Sequence, residues 1–220
     1  MNSDKNIILK VLIGSRAHGI ADITSDYDYR AVYVLPTSKI LSLGYKYKGN
    51  DWVEGKEDNT AYEIGHFLQL AIHCNPSLLE VFKGPVEYAN EDGIKLRKLF
   101  PYVWNPKRAF DAFVGYGLNQ RKKMLDKKDK RPVKYAVAYL RTLYNLIDLL
   151  MRKTFSLEIN NPKVKEALMA IRKGTSTYGM VVDAAEQLTS LARICLAKCK
   201  HEPNIEKVNE FLIDVRKRYW

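Results

Sequence analysis

Asp26 and Asp28, in the run Ser25-Asp26-Tyr27-Asp28-Tyr29-Arg30, are the side chains whose type and spacing could do chemistry. Residues 27–34 (YDYRAVYV) are dense in Tyr and Val, which predicts a β-strand. Alternate residues of a strand share a face, so the two carboxylates would stand with Cα atoms roughly 6–7 Å apart. A pair at that spacing can grip a hard divalent cation such as Mg²⁺ or Mn²⁺, as phosphoryl-transfer sites do. Ahead of it, Gly14-Ser15-Arg16-Ala17-His18-Gly19 follows an apolar run, Ile7 to Ile13, that reads as a buried strand ending at Gly14. The bend at Gly14 and Ser15 offers backbone N–H groups and a hydroxyl to phosphate oxygens. Arg30 falls on the face of the two aspartates, where it either binds a phosphate or neutralises them. The plain alternative is a surface turn with two solvated carboxylates.

These groups need elements to hold them. The chain has 220 residues, 46% of them hydrophobic, enough for one or two domains with a proper core. Pro36-Thr37-Ser38 ends the acidic strand, and residues 39–56 are turn-rich, a loop or hairpin beside the site. Apolar residues recur at helical spacing from about 63 to 74, and Asn75-Pro76 stops that helix. A second short helix covers Ser77–Phe82, broken by Gly84-Pro85. From about residue 107 the pattern is helical throughout: 107–126, 133–153, 163–173 after Asn161-Pro162, 178–199, and 205–219. The fold class is therefore α+β, a mixed-sheet head over residues 1–105 followed by a helical bundle over 106–220.

Charge and cysteines narrow the setting. Net charge is +11, which favours polyanionic partners, nucleic acid or nucleotides. Residues 119–134 are dense in Lys and Arg and either track a phosphate backbone or form a solvated face. Cys74, Cys195 and Cys199 make neither a disulfide framework nor a four-ligand metal set. No apolar run is long enough to span a membrane, and the N-terminus lacks a signal peptide's plan, so the expected compartment is the cytoplasm.

The GS-x3-G turn followed by SD-x-D resembles the nucleotidyltransferase superfamily of DNA polymerase beta-like folds. That resemblance implies a metal-dependent enzyme that moves a nucleoside monophosphate from an NTP to a hydroxyl, with Gly14, Ser15, Ser25 and Arg30 around the nucleotide. It also implies a third carboxylate on a neighbouring strand, joining Asp26 and Asp28 as catalytic and metal-binding residues. Asp58, ahead of the extended segment Asn59–Tyr62, is the first candidate. Glu63 is the alternative, although at a helix start it has a structural use as a cap. Asp51, Glu54 and Glu57 are weaker choices.

Residues 58–82 are similar more narrowly to the predicted nucleotidyltransferases of RNA repair operons, the RlaP-type family, and the resemblance covers roughly residues 8–175. That family tends to carry a Lys, a His and an Arg on one later helix. Lys134 and Arg141 match, one heptad apart, and the resemblance makes them candidates for holding the triphosphate, while the His position reads Ala138. The acceptor implied is an RNA end, possibly that of a tRNA. Nucleotidylation of a protein or small molecule, or an inert RNA-binding module of the same fold, are the other readings.

Overall fold

The structure is a computed structural model, described here over residues 5–46, 51–52, 59–126 and 131–220, with residues 51–52 described by backbone only. Strand β1 (Asn6–Ile13) runs antiparallel to β2 (Asp28–Val34). Beyond β2 lie β4 (Thr60–Glu63), parallel to it, and the two-residue β3 (Asp51–Trp52), antiparallel to β4. On the other side of β1 stands β5 (Val86–Ala89), so the mixed sheet has the order β3-β4-β2-β1-β5. The β2–β4 crossover is what brings two segments distant in sequence side by side.

The pleat assigns every residue a face. Ile13 lies opposite Asp28, Val11 opposite Arg30 and Leu9 opposite Val32. Leu9, Val11, Val32 and Val34 on that face are wholly buried, so Asp28 and Arg30 continue a core stripe to the end of the strand where it meets water. The opposite face carries Ala31, Tyr33, Leu35 and Ala61, packed with Ile7, Ile40 and Tyr45. The strand begins at Asp28 rather than Tyr27, so Asp26 sits in the turn before it instead of on the ribbon.

Helices α1 (Gly14–Ala17) and α2 (Thr37–Ile40) are single turns. Helix α3 (Ile64–Ile72) follows β4 directly. Then come α4 (Pro76–Leu79), a 3₁₀ turn (Glu80–Phe82), α5 (Glu91–Lys98) and α6 (Phe100–Val103). The helical half comprises α7 (Pro106–Leu125), α8 (Pro132–Arg152), α9 (Pro162–Arg172) and α10 (Tyr178–Lys198), and α11 (Ile205–Arg218) ends the chain. Their starts follow from capping: Asn105, Asn161, Thr177 and Asn204 each accept a first-turn N–H. Three of the helices open with proline at the first position.

The chain divides into two compact units. One holds residues 1–73, 77–104 and 203–220, the other 74–76 and 105–202. The sequence expectation of a helical domain over 106–220 includes α11, which the first unit holds here. That helix belongs to the head, against α6 and α3. Its polar side explains why: Arg216 pairs with Glu63, Arg218 with Asp92, and Tyr219 Oη donates to Asp92 Oδ2 at 3.1 Å. The Arg216 carbonyl accepts from Thr37 Oγ1 at 2.6 Å, and the Tyr219 carbonyl accepts from Thr37 N at 2.6 Å. Within the second unit, α8 is the central helix, packed on α7, α9 and α10. Among the described residues no helix is long and apolar enough to cross a membrane.

Candidate active site

The turn after β1 is a closed loop of backbone. Gly14 has φ +72° and Gly19 φ +67°, both left-handed values that a side chain resists. Between them His18 N donates to the Gly14 carbonyl at 3.1 Å, Gly19 N to Arg16 at 3.2 Å and Ile20 N to Ser15 at 3.1 Å. The two glycines of the motif are thus the two corners of the turn. Ser15 is half-buried at its rim, and His18 is buried inside it.

Asp28 closes against this turn. A Cβ built on Gly14 would fall inside contact distance of the Asp28 carboxylate, with Cγ at 3.2 Å and Oδ2 nearer still. The carboxylate occupies the space that any other residue's side chain would fill. Asp28 is half-buried and Asp26 exposed, so both are reachable from solvent. Ser25 spends its hydroxyl within the loop: it donates to Asp22 Oδ1 at 3.0 Å and accepts from Asp22 N at 2.9 Å. The Ser25 carbonyl accepts from Arg16 Nε at 3.0 Å and Nη2 at 2.7 Å. Ser25 and Arg16 therefore set the course of the chain into Asp26.

Arg30 follows Asp28 on the same face. Its Nη1 donates to Tyr62 Oη at 3.1 Å, while its buried Nε has no hydrogen-bond partner among the described residues. A buried guanidinium N–H left unmatched is costly unless an anion completes it. In β4, Thr60 stands opposite Arg30 and Tyr62 opposite Val32, on the Asp28 side of the sheet, whereas Ala61 and Glu63 face the other way. Glu63 is only 2% exposed. Its Oε2 accepts from Gly65 N at 2.7 Å, capping α3, and from Arg216 Nη2 at 2.8 Å, while Arg216 Nη1 lies 2.7 Å from Oε1 as an ion pair. It is turned away from Asp28 and held by the α3 N-terminus and Arg216. Asp58 lies outside the described residues, as do Glu54 and Glu57. Its neighbour Asn59 is buried and accepts from Tyr29 N at 3.1 Å, tying the entry of β4 to the start of β2. Asn59, Tyr62 and Arg16 escaped the sequence reading. Arg16, inside the glycine motif, and Asn59, adjacent to an acidic candidate, carried a local signal.

Lys134 and Arg141 belong to α8 of the helical unit. One heptad apart, they differ in setting: Lys134 is exposed at the first turn, Arg141 buried deeper in the bundle. Arg141 lines a cavity of about 410 Å³ together with Tyr144, Asn145, Asp148 and Phe155. Burial there pushes the Tyr144 hydroxyl's pKa up. Among the described residues no group of three or more His, Cys, Asp and Glu stands together as a metal set.

Residues 1–214 match the family described as RlaP, the RNA repair pathway DNA polymerase beta family. The chain belongs to that family. It is accordingly a nucleotidyltransferase of the RNA repair type, and the Gly14 turn with Asp26 and Asp28 lies inside the matched span. No curated protein matches the chain. Among solved structures it is similar to a nucleotidyltransferase-like protein from Exiguobacterium sibiricum 255-15, at 12% identity over 99% of this chain and 75% of that one, with a TM-score of 0.32. So loose a likeness bears on no residue of this RlaP-family chain.

Proposed function

We propose that the chain transfers a nucleoside monophosphate from an NTP to a hydroxyl at an RNA end. The acceptor oxygen bonds to the α-phosphorus, the bond from that phosphorus to the bridging oxygen of the β-phosphate breaks, and pyrophosphate leaves. The observation that carries this reading is the Asp28 carboxylate seated on the bare α-carbon of Gly14, which joins an acidic group to a phosphate-sized backbone turn. The family's description as an RNA repair pathway and the net charge of +11 support RNA as the acceptor.

An all-oxygen donor set on solvent-reachable carboxylates fits a hard cation, and Asp26 and Asp28, with Asp58, would hold Mg²⁺ or Mn²⁺. The bound ion supplies neutralisation of phosphate charge and a more acidic acceptor hydroxyl. The protein's own groups do the rest. Gly14 and Ser15 cradle the β- and γ-phosphates, and Arg30 Nε supplies a charge-assisted hydrogen bond to an anionic oxygen. Asp58, the first candidate for the third carboxylate, takes the proton of the attacking hydroxyl. Lys134 and Arg141 enter as phosphate ligands through the family resemblance alone.

The test is incubation with Mg²⁺, each labelled NTP in turn, and RNA, followed by digestion of the product to locate the label. Transfer to RNA that vanishes in Asp26→Ala and Asp28→Ala proteins is the expected result. Label on protein or a small molecule redirects the acceptor. No transfer from any NTP, with RNA binding unchanged in both variants, overturns the enzymatic reading in favour of an inert RNA-binding module.

A further inference from the structure

Beside the carboxylates runs a series of rings each topped by a cation. The Arg16 guanidinium lies 4.0 Å over the Tyr27 ring, Lys10 Nζ 4.1 Å over Tyr29, and Lys5 Nζ 5.0 Å over Tyr33. Tyr27 and Tyr29 are parallel to within 14°, their centroids 6.4 Å apart. Tyr29 and Tyr33 share the sheet face opposite to that of Asp28 and Arg30, and Lys10, paired with Ala31, is on their side. Tyr27, between the two aspartates in sequence, is 46% exposed.

Two features make this more than surface decoration. Tyr33 belongs to the core, at 4% exposed, but the Tyr27 ring is 46% exposed, and an exposed cation–π pair contributes little to folding, so stability gives no reason to place that one beside the carboxylates. And the outermost pair is pre-set. Arg16 is pinned flat by two hydrogen bonds to the Ser25 carbonyl, and Ser25 is itself fixed by the Asp22 turn, where Thr24 N and Oγ1 also donate to Asp22 Oδ1. The Tyr27 hydroxyl and Arg16 Nη1 make no hydrogen bond among the described residues. A ring beside cations matches single-stranded nucleic acid, which presents a π-face and a phosphate with every nucleotide.

We propose that Tyr27, with Arg16 and Lys10, is the stacking platform for the terminal bases of a single-stranded RNA acceptor. This rests on the reading of RNA as the acceptor and names the surface that holds it. A base on Tyr27 delivers the strand's end to the residues on either side of that tyrosine, Asp26 and Asp28. The cations meet the phosphates behind it.

The test is fluorescence anisotropy of the full chain with a labelled single-stranded RNA of about ten nucleotides, without NTP or Mg²⁺, across a salt series. Tyr27→Leu is expected to weaken binding by roughly 5- to 100-fold, the worth of one stacked base, and Tyr27→Phe to stay within about twofold. Lys10→Gln should lower the salt slope by about 0.7, one phosphate's share for a single strand. Circular dichroism confirms that each variant is folded. RNA affinity unchanged in folded Tyr27→Leu overturns the platform, and so does a parallel titration with labelled NTP in which the variant loses affinity for the NTP alone, which assigns the ring to the incoming base. In either case Asp28-dependent transfer to RNA leaves the transferase reading standing. An unaltered chain with no affinity for RNA overturns the RNA acceptor itself.

Discussion

Replacing Arg216 by alanine removes the cation paired with a carboxylate that is 2% exposed. Glu63 accepts a hydrogen bond from Arg216 Nη2 at 2.8 Å and has Nη1 at 2.7 Å as an ion pair, and the arginine side chain is itself 14% exposed. Two charges this deep attract strongly, but each also lost its hydration, so the pair taken together contributes little beyond specificity. Breaking it is a different matter, because the remaining carboxylate is stranded where water cannot reach it. The expected cost of Arg216→Ala is therefore about 3–5 kcal/mol. Glu63→Gln with Arg216→Met keeps an acceptor for Gly65 N and fills the arginine's space, so the double variant should lose far less than Arg216→Ala. Arg218→Ala is the contrast. That side chain is 37% exposed and shared between Asp92 and Asp214, so its loss should cost about 1 kcal/mol or less. Urea unfolding followed by tryptophan fluorescence reads these differences in the head, where Trp104 is wholly buried. A cost below about 1 kcal/mol for Arg216→Ala, or a double variant as damaged as the single one, refutes the reasoning.

Gly14→Ala should both destabilise and disarm the enzyme. The left-handed φ of +72° costs about 1–2 kcal/mol with a side chain, and the displaced Asp28 carboxylate should lower transfer by about 100-fold or more. Gly44→Ala, at φ +79° with nothing within 4 Å, carries the same backbone cost and should leave transfer intact in the same labelling assay. In alkali, Tyr144 keeps its proton in the folded state beyond the usual tyrosine value, because burial raises its pKa. The folded state then binds more protons than the unfolded one, so stability is full below about pH 10 and falls as pH rises further. Tyr144→Phe should make the decline of Tm between about pH 9.5 and 11 shallower, and an unchanged slope contradicts the shift. Burial likewise pushes the Cys74 thiol up. Disulfide-reagent labelling of the native chain at about pH 8 should therefore reach the half-exposed Cys199 first and Cys74 only on unfolding.

What the sequence revealed and what it hid divide along the range of the interactions. The helices of the second unit are local objects: a stripe of apolar residues, Asn161 before Pro162, Gly174 after Lys173. They lie within a residue or two of where periodicity and capping place them. Helix α5 and strand β5 went unread for an equally local reason. Glu91–Lys98 is almost wholly polar, with Leu96 its one fully buried apolar side chain, and Val86–Ala89 is an edge strand exposed along most of its length. The destination of α11 could not be read at all. Its stripe of Val208 and Val215 announces a buried face without naming the partner, and the choice of the head over the bundle is made by Arg216 and Arg218 meeting carboxylates more than 120 residues away.

The site shows the same division with a functional consequence. The Gly14 turn and the Asp26–Asp28 pair stand within 15 residues of each other in sequence, and both motif glycines sit at the left-handed corners their type allows. The choice between Asp58 and Glu63 turned on something the residue types do not carry, the parity of β4 against β2. Once Thr60 is paired with Arg30, Glu63 must project from the far side of the sheet, three positions along. There it has a partner of its own in Arg216. A carboxylate bound by a guanidinium and a helix N-terminus cannot at the same time serve a nucleotide on the other face. The same α11 that sequence assigned to the bundle is therefore what holds Glu63 on the far side of the sheet, through Arg216.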